Sequence, residues 1–268
     1  MAAGSYIIRG GLEGRERLRL LARVMRPASL DLFARAGVDG GMRCIDVGCG
    51  GGDASIELAR IVAPTGSVVG LDVDPIKIGL ARAEAAGIGN LSFVQADLET
   101  GLADLAPADL VYSRFVLSHL RSPEVALARL PAQVLPGGLL VLEDIQISAH
   151  LVDPPSAAHD AYVDLYRRAA QARGADPDLG PRLPALLRAA GFSDVQVQVV
   201  QPAGLQGEMK QVSRLTMESI ADAVLQAGLA DHGRIDGIVA ELARMADDPA
   251  VLMSIARVVQ AWGRKPLA

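Results

Sequence analysis

Residues 43–53, Arg-Cys-Ile-Asp-Val-Gly-Cys-Gly-Gly-Gly-Asp, constrain the fold more than any other stretch. A short apolar run reaches Asp46, passes Gly48, Gly50 and Gly52, and opens into Ala54-Ser55-Ile56-Glu57-Leu58-Ala59. That pattern predicts a buried strand, a glycine turn and a helix start. Glycine has no Cβ, so the turn can be sharp and a ligand can lie against bare backbone. A dinucleotide would need G-x-G-x-x-G, so that its pyrophosphate meets the helix N-terminus. Here the third glycine comes one residue early, and Asp53 stands where the last glycine would be. Asp46 and Asp53 would repel a diphosphate. They suit a ligand without phosphate that carries an ammonium and a sulfonium.

The rest of the chain repeats the strand–helix alternation. Strands are expected at 43–47, 67–72, 91–95, 108–112 and 139–144, each almost wholly apolar, which indicates a parallel sheet covered on both faces. Asp74 followed by Pro75 is a helix start. Further strands are expected at 195–200 and 254–263. Helices are expected over 12–25 and, after a break at Pro27, to about Gly37, then at 53–63, from Pro75 to Gly87, from Ser122, and at 157–173. One more ends at Gly191, another is capped by Thr216, and a last one carries Ile235 to Met245. In such a sheet the ligand sits outside the C-terminal ends of the strands. Asp46, Asp72, Asp97, Arg114, Glu143 and Asp144 all fall at or just past those ends.

Composition narrows the function. A chain of 268 residues suits one α/β domain with insertions, or at most two small domains. Half the residues are hydrophobic and only 3% aromatic, so the core is aliphatic. A net charge of −5 with no Lys/Arg block argues against nucleic-acid binding. No signal peptide is recognisable, and no apolar run approaches the ~18 residues of a membrane span. Cys44 and Cys49 lie on one strand and its turn, where a disulfide is not expected, so a reduced cytoplasmic protein is anticipated. No Cys or His spacing suggests zinc. Glu143, Asp144 and His150 could assemble a divalent site, although nothing in the spacing demands one.

The stretch Asp-x-Gly-x-Gly-x-Gly resembles the first motif of the class I S-adenosylmethionine (SAM) methyltransferases. An acid ending the second strand, Asp72, twenty residues after Gly52, also occurs in dinucleotide folds. Ala96-Asp97-Leu98 after the third strand is an independent match to the methyltransferase pattern. The resemblance covers most of residues 40–144, and the order of strands to the C-terminus agrees with it. It implies an α/β, Rossmann-like, seven-stranded, mostly parallel sheet in the order 3-2-1-4-5-7-6, with strand 7 antiparallel. N-terminal helices would precede the sheet, and a helical insertion would lie between strands 6 and 7. The domain reading is one unit over 1–268, with a helical cap at 1–37 and an insertion or lid at 204–250. By position, Asp46, Gly48, Cys49 and Gly50 would face the methionine part of SAM. Asp72 would accept both ribose hydroxyls, a carboxylate matching a vicinal diol. Val73 would pack on the adenine, Asp97 would accept from its exocyclic amine, and Leu98 would donate its backbone N–H to the ring. Ser113 or Arg114 would offer a backbone carbonyl to the ammonium.

Methyl transfer needs alignment, exclusion of water and, for a hydroxyl nucleophile, a base. His119, just past the fourth strand, is the candidate base, with helix packing as the alternative; Glu143 is a second candidate. His150 and His159 could line the acceptor pocket, whereas His232 reads as loop surface. Tyr6 and Arg9 fit either a frayed arm or a segment folding over the pocket mouth. The acceptor pocket should come from residues 1–35, 145–180 and 204–250. Their aliphatic character suggests a small organic acceptor, O- or C-methylated, such as a secondary metabolite or a lipid-like molecule. The apolar stripes of the insertion helices fit a core or a homodimer interface. Two other classes remain: a methyltransferase-fold cyclase or isomerase that transfers no methyl, and an NAD(P)-dependent oxidoreductase.

Overall fold

Val, Ile and Leu occupy both pleat directions of the central runs, so those runs are stable only where helices cover both faces. The computed structural model describes residues 7–8, 14–102 and 105–267. Its main sheet has seven strands: β1 (Arg43–Val47), β2 (Ser67–Asp72), β3 (Leu91–Gln95), β4 (Ala108–Arg114), β5 (Val134–Gln146), β6 (Ser193–Val200) and β7 (Arg257–Arg264). Their order is β3-β2-β1-β4-β5-β7-β6. The first five pair in parallel, and β7 runs antiparallel to both β5 and β6. The expected fold class, strand order and antiparallel last strand are those observed.

One face of the sheet, with Cys44, Leu110, Tyr112 and Val141, is covered by α1 (Arg15–Ala36) and α2 (Asp53–Val62). The opposite face, with Ile45, Val111, Leu140 and Leu142, packs on α4 (Pro123–Leu127) and α6 (Leu183–Ala189). α3 (Pro75–Glu84) is capped by the Asp74 carboxylate, which accepts from the N–H of Ile76 at 2.8 Å. A third core is wholly helical. α5 (Ala157–Ala172), α7 (Val212–Gln226) and α8 (His232–Asp247) bury Tyr162, Leu165, Met217, Ile220 and Leu242 together. Three short antiparallel strands, Val152–Asp153, Leu252–Ser254 and Ala203–Gly204, fasten this helical unit beside the sheet.

Several boundaries differ from the sequence reading. Pro27 does not break the first helix: α1 is continuous, with the proline on its exposed side, where the carbonyl it leaves free can meet water. Thr216 is not a cap but lies inside α7. Ser254, expected to open the seventh strand, belongs instead to the short strand Leu252–Ser254 of the small sheet, β7 begins only at Arg257, and Pro136-Gly137-Gly138 lies within β5 rather than before it. His232 starts α8 instead of sitting in a loop. Among the described residues, no helix is long and apolar enough to cross a membrane. Cys44 and Cys49 are both free and buried.

Candidate functional site

One cavity of about 940 Å³ opens at the C-terminal ends of β1, β2, β3 and β4 and continues under α1, α5 and α7. That is the upper end of the ~300–1,000 Å³ range of small-molecule sites. One half is the glycine turn with the ends of the strands. The other half is roofed by the helical unit.

The turn is shaped by backbone contacts. The N–H groups of Gly48 and Cys49 both donate to the carbonyl of Leu71, at 2.7 and 2.8 Å, which binds the turn to β2. A Cβ on Gly48 would meet Val116 Cγ2 at 2.2 Å, so the close approach of the next loop requires glycine there. Gly50 is different. It sits at φ +57°, and a Cβ on it would come no nearer to another atom than 4.0 Å, from Leu18 Cδ1. Its open side is the cavity floor. The N–H of Gly50 donates to Asp72 Oδ2 at 3.0 Å, and the N–H of Asp74 donates to Oδ1 at 2.9 Å. Each Asp72 oxygen thus has one backbone donor and keeps acceptor capacity toward the cavity. A bare floor beside an aimed carboxylate fits a ligand with a vicinal diol and no phosphate.

The acids flanking the turn are less free than their sequence positions suggest. Arg15 is buried, and its Nη1 donates to Asp53 Oδ2 at 2.8 Å. Its Nε donates to Glu84 Oε1 at 2.9 Å, and the guanidinium holds the Glu84 carboxyl below its ordinary range. Asp53 therefore spends its charge on α1, which corrects its assignment as a cation-attracting flank. Asp46 accepts from Ser55 Oγ at 2.5 Å. Burial pushes its carboxyl up to about 6, against the Ser55 bond and the Arg114 charge, which pull it down. Val73, Ala96, Asp97 and Leu98 line the same half of the cavity, and Asp97 Oδ1 accepts from the N–H of Glu99 at 2.9 Å.

β4 delivers the remaining strand-end residues. Ser113 Oγ donates to the Val47 carbonyl at 2.9 Å, tying β4 to β1. Arg114 lines the cavity, donates through Nη1 to Ser29 Oγ at 3.1 Å, and lies over the Phe115 ring at 5.7 Å. Phe115 has φ +56°, a left-handed conformation costly for a side chain of this size, and turns the chain sharply off the strand. The 3₁₀ turn Leu117–His119 follows. Asp144 holds this turn: its Oδ2 accepts from the N–H of Ser118 at 2.9 Å, and burial pushes its acid up to about 6. His119 is buried in the cavity wall. Its pKa is lowered to about 3 by burial first, then by the charges of Arg17 and Lys77. It is neutral at pH 7.

Glu143 is not brought to the cavity. It points into a buried polar strip below α1, where Oε1 accepts from Ser29 Oγ at 2.9 Å and from the Tyr112 hydroxyl. Its Oε2 accepts from Gln260 Nε2 at 2.6 Å. His150 lines the helical half of the cavity. Its Nδ1 lies 2.8 Å from the Ile147 carbonyl, and burial lowers its pKa to about 3. His159 stacks edge-on behind it at 4.8 Å and is held near 4 by burial. Among the described residues, no group of three or more His, Cys, Asp or Glu side chains is placed to hold a metal ion. Tyr6 and Arg9 lie outside the described residues, whereas Ile7 and Ile8 are buried in the cavity lining. Arg15 and Arg17 were missed by sequence reasoning. The available signal was two arginines at helical spacing to Leu18, Leu21 and Ala22, on a helix face that had to be covered.

A family model described as a methyltransferase domain matches residues 38–174. A trans-aconitate 2-methyltransferase of Methylobacterium radiotolerans is 32% identical over 170 residues, 63% of this chain and 61% of that protein. The ubiquinone/menaquinone biosynthesis C-methyltransferase UbiE of Pseudomonas aeruginosa is 37% identical over 131 residues, 47% of this chain and 50% of its own. The matched region thus spans only half to three-fifths of those relatives. Among solved structures, the [4+2]-cyclase SpnF superposes with a TM-score of 0.53 at 20% identity, covering 91% of this chain and 82% of that one, which is likeness of fold. With a matching family model over half its length and the strand order, glycine turn and aimed strand-2 carboxylate all present, the chain belongs to the class I S-adenosylmethionine-dependent methyltransferases.

Proposed function

We propose that the chain transfers a methyl group from SAM to a small organic acceptor held in the helical half of the cavity, by O- or C-methylation of a secondary metabolite or lipid-like molecule. The observation that carries this reading is Asp72, held by the N–H groups of Gly50 and Asp74 beside a floor without side chains. SAM supplies the activated methyl on a sulfonium; the chain's own residues bind, orient and exclude water. Asp72 accepts from the ribose hydroxyls, Val73 packs on the adenine, and Asp97 with the Leu98 N–H reads its edge. Asp46, Gly48, Cys49, Gly50 and a carbonyl of Ser113 or Arg114 surround the amino-acid end. The helical half, where Arg17, His119, His150 and Thr216 stand among Ile7, Ile8, Ile147 and Tyr162, covers the transfer from bulk water. His119, neutral at pH 7, accepts a hydrogen bond from the acceptor and orients it. Complete proton abstraction by an imidazole held near 3 would be steeply uphill, so its contribution is orientation and partial proton acceptance. Glu143 acts as a structural acid. The functional unit is residues 1–268, with 1–37 as cap and 204–250 as lid; the stripes of α7 and α8 are used within the chain's own core, so a homodimer would use another surface.

The fold-level likeness to a cyclase favours one second reading, use of the SAM site without methyl transfer. Incubation with SAM and a panel of aromatic, enolic and carboxylic acceptors separates the two. Methyl transfer releases S-adenosylhomocysteine in proportion to product; product formed without it would establish the second reading. Thermal-shift comparison of SAM with NAD tests the cofactor itself, and stabilisation by NAD alone would overturn both.

A further inference from the structure

Two arginines enter α1 side by side and meet opposite fates. Arg15 is neutralised by Asp53 and Glu84. Arg17 is only 9% exposed, yet it forms no ion pair among the described residues. Its Nε donates to Thr216 Oγ1 on α7 at 2.9 Å. Its two terminal nitrogens make no hydrogen bond among the described residues and open onto the cavity. The guanidinium shares this wall with His119 and Tyr162, and its charge lowers the pKa of each.

A buried cation without a counter-charge is a costly arrangement that structures keep where a ligand supplies the charge. Among the described residues no neighbouring side chain supplies it in an ion pair: Thr216 carries no charge, His119 is neutral, and burial keeps the Tyr162 phenol up at about 12, so it stays protonated. With Nε committed to Thr216, the exposed edge of the guanidinium is the Nη1/Nη2 pair, a planar fork matched to the two oxygens of a carboxylate.

We propose that Arg17 is a carboxylate anchor of the cavity, taking a planar two-oxygen anion in fork geometry. The inference rests on the methyltransferase reading for what occupies the cavity, and two molecules there can carry the group. One is the amino-acid end of the cofactor; the other is the methyl acceptor, which would then be an organic acid. An acceptor arriving as an anion would also suit a wall whose imidazoles are held neutral and are poor bases.

Calorimetric titration of the full chain distinguishes these sources. The probes are S-adenosylhomocysteine, which carries the carboxylate, and 5′-methylthioadenosine, which lacks it. Benzoate against benzamide is then titrated into protein saturated with S-adenosylhomocysteine. If the cofactor is the bearer, Arg17→Met weakens S-adenosylhomocysteine ~10-fold or more and leaves methylthioadenosine unchanged, the scale of a lost charge-assisted bond. If the acceptor is the bearer, both nucleosides bind as in wild type, and the preference of wild type for benzoate over benzamide disappears in the variant. Wild-type affinities for all four probes in Arg17→Met overturn the proposal. Should that variant not fold, Arg17→Gln, which keeps the stem and a donor without the charge, is read by the same outcomes. Failure of wild type to bind either nucleoside would strike the methyltransferase reading instead, and benzoate against benzamide on the unloaded protein would still test Arg17.

Discussion

The two halves of the cavity are built by opposite rules. The half under the glycine turn is local and made largely of backbone: residues 46–53 bend over the end of β2, and peptide N–H groups hold the Asp72 carboxylate beside the floor. The helical half is assembled from side chains far apart in sequence, with Arg17, His119, His150, Tyr162 and Thr216 meeting from five segments. Backbone construction tolerates little change at a few positions. Side-chain construction spreads the energy thinly over many contacts, so single changes there should cost less and can alter specificity without destroying the fold.

The sharpest test of that contrast is Gly50→Val. A branched side chain at φ +57° is strained, and it would fill the cavity floor. Binding of S-adenosylhomocysteine should fall by ~100-fold or more in titration calorimetry, since both strain and displaced ligand contacts contribute. The fold should survive, because nothing lies closer than 4.0 Å to the new Cβ. A variant that binds normally would mean that the cofactor does not lie on this turn. Next in size is Asp72→Ala, expected to weaken the same ligand by about 1.5–3 kcal/mol, the scale for hydrogen bonds to a charged group. Asp72→Asn keeps one acceptor oxygen and should lose less. Equal affinities for wild type and both variants would remove Asp72 from the site.

The same contrast explains what could be read from the chain. β1 to β4 and the 139–144 part of β5 were legible because each is a short, mainly apolar run ending in a polar residue, and Asp74-Pro75 marks its helix unambiguously. The turn half was legible because its residues are neighbours in sequence. The helical half was not. Thr216 looked like a cap because no local rule shows that Arg17, 199 positions away, bonds its hydroxyl. Glu143 ends in the same register as the cavity residues, yet Tyr112, Ser29 and Gln260 claim it from three other elements. Pro27 misled because the propensity argument ignores which side of the helix the proline faces; on the exposed side, packing of Met25, Leu32 and Phe33 carries the helix through.

In the helical half, His119→Gln should lower kcat by about 10-fold, below the ~10²–10⁴ range of a full general acid–base catalyst. Because the wild-type imidazole is already neutral down to about pH 3, kcat should show no protonation step near 6.5 attributable to it. A kcat that falls across pH 7 to 6 in wild type and not in His119→Gln would restore His119 as a titrating base.

The smallest expected effect is on stability and concerns His159. Its ring is buried, its Nε2 has no hydrogen-bond partner among the described residues, and burial lowers its pKa from 6.5 to about 4. Between those values the unfolded chain binds a proton that the native state refuses, so stability falls as pH falls from 6.5 toward 4. His119 and His150 act in the same direction down to about 3. Asp46 and Asp144 act oppositely: their acids are raised from 3.8 to about 6, so the native state takes the extra proton first and gains stability as pH falls through that window. Three histidines against two carboxylates leave a net loss on acidification from pH 7.5 to 5. His159→Leu removes one of the three and should reduce that loss by about 1–2 kcal/mol, read from denaturant unfolding at the two pH values. At pH 7.5 the variant should be as stable as wild type or slightly more so, since an unsatisfied buried nitrogen has been exchanged for apolar volume. An unchanged difference between the two pH values would mean that His159 takes up its proton at the same pH in the native protein as in the unfolded chain, so that at pH 5 the helical half would carry a charge facing Tyr162 and His150.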